Sequence, residues 1–166
     1  MPPSWVSSSF LLFVILISGA FAVGANIWYQ AAKAREAKAD LASNAKAILL
    51  PEVKRNGDLI SSMQAALTKG QVPLEKFDVT AWETISKGGL LLGLDPAETN
   101  KFLNAYRLAY QANDLSAQIL DLTVGVRSAL SSANQTKSLY LNSLKITLEE
   151  LQAAFSELGV KPGRTG

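Results

Sequence analysis

The sequence predicts an all-α protein: a single N-terminal transmembrane helix continuing into a stalk, then a three- or four-helix bundle. Three observations carry this. No charged side chain occurs from Met1 through Ala32, and the stretch from Trp5 to Tyr29 is apolar almost throughout. Beyond it, apolar residues recur at spacings of three and four, the period of a helix. The brief apolar run Leu90 to Leu94 resembles a strand, but no second strand candidate exists to pair with it, so it is read as a buried turn.

A helix rises about 1.5 Å per residue, so the roughly twenty residues from Val6 to Ala25 cover about 30 Å, the thickness of a hydrocarbon core. Trp5 lies at one end and Trp28 with Tyr29 at the other, where amphipathic rings prefer the headgroup layer. Within the span, Ser18, Ala20, Ala22 and Gly24 form small-xxx-small pairs, the type of spacing that lets membrane helices approach closely. Ala20-Phe21-Ala22 also has the form of a signal cleavage site. The basic region that precedes such a site is missing, so an uncleaved anchor is expected.

Lys33, Arg35, Lys38 and Lys46 follow the span and no basic side chain precedes it. By the positive-inside rule the bulk of the chain is expected in the cytoplasm. Lys33, Arg35 and Lys38 are close enough to meet anionic headgroups, and with Trp5, Trp28 and Tyr29 they make up the expected membrane-interface set. No charge falls at mid-span, so an ion path, proton relay or voltage sensor has no residue to use.

The domain boundaries expected are an anchor at 1–29, a helical stalk at 30–50, a bundle at 51–159 and a flexible tail at 160–166. The stalk is rich in Ala, with Lys, Arg and Leu beside it, all strong helix formers, and has no Gly or Pro. Pro51 lacks a backbone donor, which predicts a kink or a restart near Leu50. Val53, Ile60, Met63 and Leu67 then share a stripe that stops at Gly70. Thr80-Ala81-Trp82-Glu83 has the form of a capping box and predicts a short helix ending at Gly88-Gly89.

Asp95-Pro96-Ala97-Glu98 opens the longest domain helix, with Asp95 as cap and Pro96 at the first helical position. Its stripe reads Phe102, Tyr106, Ala109, Tyr110, Asn113, Ala117, Leu120, Val124, and the polar Asn113 within it is expected to be satisfied locally or to fix register. The last helix runs from about Gln135 to Leu158, with Tyr140, Leu144, Leu148, Leu151, Phe155 and Leu158 as a narrow seam. That seam suits the chain's own bundle or a homo-oligomer through this helix.

Glu52, Asn56, the Ala81-Trp82 pair, Gly89-Leu90, Leu94-Asp95-Pro96, Ala105-Tyr106 and Asn113 together resemble an uncharacterised family of bacterial and archaeal proteins that carry an N-terminal membrane helix and a small helical domain. The likeness covers 51–113. It implies a helical membrane-tethered domain and no assigned activity.

Chemistry is sparse. The chain has no Cys and no His, which removes thiolate nucleophiles, Cys-based metal sites, the commonest general base and the commonest metal ligand. The net charge of +2 comes from scattered residues, so nucleic acid has no electrostatic footprint. Glu149-Glu150 and the Asp114 and Asp121 pair read as solvated helix faces, and Lys87-Gly88-Gly89 lacks the spacing of a phosphate loop. Phe77 and Trp82 are weighed as a core pair and as a partner surface, with the core favoured because large aromatics dominate cores.

The expectation is therefore a non-catalytic membrane-anchored interaction protein, an accessory or scaffold subunit of a membrane complex. Its partners would be the lipid bilayer and other membrane-protein subunits, with no cofactor and no metal. Two alternatives remain at this point: a membrane-tethered sensor or signalling module, and a secreted or periplasmic helical ligand-binding domain released by signal cleavage.

Overall fold

The computed structural model describes residues 4–124 and 131–159, with side chains at 10, 12–124 and 133–159. The described residues form four α-helices, α1 Ser4–Thr68, α2 Thr80–Lys87, α3 Pro96–Val124 and α4 Ser131–Glu157, with a 3-10 turn at Leu90–Gly93 and no strand. The chain is all-α, as its spacing predicts. Two compact units divide it, Met1–Asp40 and Leu41–Gly166.

The first unit is helical, and every described side chain in it is exposed. It contains the part of α1 that is long and apolar enough to cross a membrane, with a mean hydropathy of 1.8 and none of that window buried. Its helix does not end at the last aromatic residue: α1 continues without a break into the second unit.

In the second unit, α1 contributes Ala45, Leu49, Val53, Ile60 and Met63 to the core. The core therefore begins before Pro51, within what reads as stalk. The helix also neither ends nor restarts at Pro51, contrary to one of the two expectations there. Pro51 and Ala47 are both exposed, so solvent is available to the Ala47 carbonyl that loses its partner. The end of α1 matches the sequence: Gly70 takes a φ of 70°, its N–H reaches the Leu67 carbonyl at 3.0 Å, and the Gln71 N–H reaches the Ala66 carbonyl at 2.9 Å. These are the two bonds of a Schellman motif, in a conformation that favours glycine.

The 3-10 turn sits directly on α1. A Cβ at Gly93 would stand 2.6 Å from the Leu41 carbonyl carbon, closer than real contacts allow. Asp95 caps α3 as expected, its Oδ1 accepting the Glu98 N–H at 2.8 Å. The Glu98 carboxylate does not return to the cap; it pairs with Lys46 of α1 at 2.6 Å.

Helix α3 buries Phe102, Ala105, Tyr106, Leu108, Ala109, Ala112, Ser116 and Ile119. This stripe is rotated from the expected one: Tyr110 and Leu120 are each 39% exposed and Val124 is 77% exposed. Small side chains, which a search for large apolar residues passes over, form its centre. In α4 the expected seam is buried, with Leu144, Leu148 and Leu151 at 0% and Phe155 at 2% exposure. That apolar row belongs to the chain's own bundle.

Candidate functional site

The residues that combine burial with polarity converge on one place in the second unit. Glu52 projects from α1 at a position that continues the stripe of Leu49, Val53 and Ile60, and it is 1% exposed. A bare carboxylate there would be costly, so its acceptors must be filled. They are. One oxygen accepts the Ala81 N–H at 2.7 Å; the other accepts the Tyr106 hydroxyl at 2.7 Å and the Trp82 N–H at 3.4 Å.

Ala81 and Trp82 are in the first turn of α2, where backbone N–H groups have no partner within the helix. Glu52 thus caps α2 from another helix. The local capping box expected at Thr80 does not form, since no side chain adjoining the N-terminus supplies a cap from the helix's own N-cap position, Val79. Asp78 helps instead, accepting the Thr80 N–H on Oδ1 at 3.0 Å. Glu83, the other half of the expected box, turns outward and accepts the Tyr110 hydroxyl at 2.9 Å and the Lys87 ammonium at 3.4 Å.

The segment leading into α2 is held by two amides. Asn113 of α3 accepts the Phe77 N–H at 2.8 Å and donates to the Phe77 carbonyl at 3.0 Å. Asn56 of α1 treats Asp78 the same way, accepting its N–H at 3.0 Å and donating to its carbonyl at 2.6 Å. Consecutive residues of an extended chain turn their backbone groups to opposite sides, so a helix on each side can supply one Asn. Arg55 adds an exposed ion pair to Asp78 at 3.0 Å. Asn113 is therefore satisfied not locally, as one reading of the sequence has it, but by the main chain of a segment 36 residues away, which it ties to α3.

Phe77 and Trp82 are 3% and 8% exposed, which places both in the core, the favoured of their two readings, and not on a partner surface. The Trp82 ring stacks on Tyr106 with centroids 4.9 Å apart and planes at 14°. Tyr106 itself is 0% exposed, so its bond to Glu52 lies in the core.

The titration of these groups follows from their partners. The Asp78 carboxyl is held below its ordinary value by the Thr80 N–H, and Glu83 by the Tyr110 hydroxyl and then Lys87. The Tyr106 hydroxyl is pushed up, first by burial and then by its bond to Glu52; Tyr110 is pushed up by burial and by Glu83. Each shift has a hydrogen-bond partner among its causes. A cavity of about 540 Å³ between the end of α1 and α4 lies elsewhere and is lined by Gln64, Leu67, Thr68, Lys145, Glu149 and Gln152. Among the described residues no group of three or more carboxylates is placed to hold a metal ion.

In the first unit, Trp28 and Tyr29 are 74% and 59% exposed, and Lys33, Arg35 and Lys38 are exposed after them. Ser18, Ala20, Ala22 and Gly24 are exposed as well, and the Ser18 hydroxyl donates to the Ile15 carbonyl at 3.0 Å. Ala20 and Gly24 form a shallow face with Phe21 and Trp28. The Trp5 side chain and the tail at 160–166 lie outside the described residues.

Sequence reasoning on chemistry passed over Glu52, although it stands among the residues that carry the resemblance. Its signal was legible: a carboxylate and an amide, Glu52 and Asn56, on the apolar face of one helix. Comparison with protein-family models, with curated proteins and with solved structures finds no match to this chain.

Proposed function

We propose that the protein is a single-pass, membrane-anchored helical interaction protein, serving as an accessory or scaffold subunit of a membrane complex with its bundle in the cytoplasm. One observation carries the anchor. Large apolar side chains stand exposed along the N-terminal unit, among them Phe10 at 68%, Leu16 at 70%, Phe21 at 76% and Trp28 at 74%. A continuous apolar surface of this kind in water drives aggregation, whereas hydrocarbon accommodates it and a helix satisfies its own backbone there. The run of Lys33, Arg35 and Lys38 on the C-terminal side alone supports a cytoplasmic bundle.

The bundle contributes binding surface and not chemistry. Its perturbed groups are engaged in structural bonds: Asp78 accepts the Thr80 N–H at the start of α2, Tyr106 ties α3 to Glu52 of α1, and Tyr110 ties α3 to Glu83 of α2. That use leaves no poised acid, base or nucleophile among them.

Purification of the tagged full-length protein from its native membrane in mild detergent, with mass spectrometry of its N-terminus and of co-purifying proteins, tests the proposal. The expected result is an intact N-terminal peptide together with stoichiometric membrane subunits. A solitary soluble bundle cleaved after Ala22 would overturn it and favour a ligand-binding domain outside the cytoplasm.

A further inference from the structure

We propose that Arg35 and Lys38 together bind the phosphate of an anionic phospholipid headgroup, so that the anchor selects the composition of the leaflet it emerges from. The proposal deepens the membrane-anchored reading and rests on the span lying in a bilayer.

The charges after Tyr29 are not evenly spread. At about 100° per residue, Arg35 and Lys38 stand roughly 60° apart on one side of the helix, as i,i+3 neighbours. Lys33, Glu36 and Asp40 share another side. One side thus holds two cations and no carboxylate, and the other holds one cation and two carboxylates.

Two like charges on adjacent positions repel each other unless an anion lies between them. Residues 34, 39 and 42, one turn away from these cations, are all Ala and offer none. The ion pairs among the described residues are Lys46–Glu98, Arg55–Asp78 and Lys87–Glu83, so Arg35 and Lys38 are exposed without a carboxylate partner.

Direction supplies the rest. Every Cα–Cβ bond in a helix leans toward the N-terminus, and the span is N-terminal to these residues. Arg35 and Lys38 are about 9 and 14 Å along the axis from Tyr29, and their long side chains lean back toward it. Their charges therefore fall in the headgroup layer that Trp28 and Tyr29 mark. A guanidinium can take two phosphate oxygens and an ammonium a third, which is a better fit for a phosphate monoanion fixed in a leaflet than for a zwitterion whose own amine competes.

The chain has no Cys, so a single nitroxide on Ile17→Cys reports insertion without background. Full-length protein is reconstituted in vesicles of equimolar phosphatidylcholine and phosphatidylglycerol, the label depth is read, and lipid retained after mild extraction is counted by native mass spectrometry. The expected result is a label in hydrocarbon and about fivefold enrichment of phosphatidylglycerol, the scale of one basic residue at a charged leaflet. The Arg35→Gln/Lys38→Gln variant loses the enrichment and Lys33→Gln keeps it, and millimolar inorganic phosphate does not compete. Enrichment that survives in the double variant, that falls equally in Lys33→Gln, or that free phosphate abolishes overturns the headgroup site while the label stays in hydrocarbon. A label in water would instead remove the membrane reading itself.

Discussion

At the scale of single residues, Glu52 decides more than any other polar group. It ends three donors that have no other acceptor, two of them backbone N–H groups at a helix start and one a tyrosine hydroxyl 0% exposed. Removing the acceptor strands all three, the Trp82 N–H and the Tyr106 hydroxyl in the buried core and the Ala81 N–H half-buried beside it. Glu52→Ala is expected to cost about 3–5 kcal/mol of stability, read as a shift of the urea midpoint, while Glu52→Gln costs less because one carbonyl oxygen remains. A loss below about 1 kcal/mol in Glu52→Ala would mean that water enters and replaces the carboxylate.

The same cluster sets the pH range of the fold. Asp78 and Glu83 titrate below their ordinary values of 3.8 and 4.5 when folded, so they favour the folded state above those values. That contribution is lost as pH falls through the lower folded values, because the unfolded chain takes up protons first. Tyr106 and Tyr110 titrate above 10.0 when folded, so their contribution is complete below 10.0 and is lost as pH rises past it. Thermal unfolding is expected to give a plateau at neutral pH with a decline on both sides. The acid decline should be shallower in Asp78→Asn/Glu83→Gln, and an unchanged acid slope in that variant would assign it to other carboxylates. Both groups are largely solvated, so the slope will be modest.

At the scale of elements, the bundle depends on small residues where helices meet. The 3-10 turn touches the α1 backbone at Leu41 and Ala42, and no side chain fits between them at Gly93. Gly93→Ala is expected to destabilise by about 1–3 kcal/mol through overpacking, since both neighbours there are main chain or Cβ and cannot swing aside. Urea unfolding with near-UV circular dichroism of the tryptophans checks it, and a neutral result would show that the 3-10 turn can lift off α1 freely. Gly70 works differently: its φ of 70° terminates α1, and nothing crowds it.

The small residues of α3 obey the same logic. Ala105, Ala109 and Ala112 are fully buried where larger side chains would hold the helices apart. Their role explains why the apolar stripe read from large residues drifted toward Tyr110, Leu120 and Val124.

At the scale of the whole molecule, the chain separates into a unit whose described side chains are all exposed and a unit that holds the entire described core. Residues 41–166 are accordingly expected to fold cooperatively in water without detergent, while the full chain needs lipid or detergent to stay dispersed. Circular dichroism and sedimentation of both chains decide it. Aggregation of 41–166 would show that the N-terminal unit shields part of the bundle.

Much of this was open to a reader of the sequence, for reasons that are local. Charge-free length defines the membrane-compatible stretch; helical period defines α3 and α4; Asp95-Pro96 and Gly70 set a helix start and a helix end through their own backbone chemistry. Only the tertiary structure decided the rest, because it turns on partners far apart in the chain. The cap of α2 comes from Glu52, 29 residues before the first N–H it accepts, and not from Thr80. Pro51 is tolerated because its helix face is exposed, Phe77 and Trp82 are core because α1 and α3 close over them, and the α4 seam is occupied by its own bundle. Local signals act within about one helical turn, whereas a buried acceptor is satisfied by whichever donors folding brings to it.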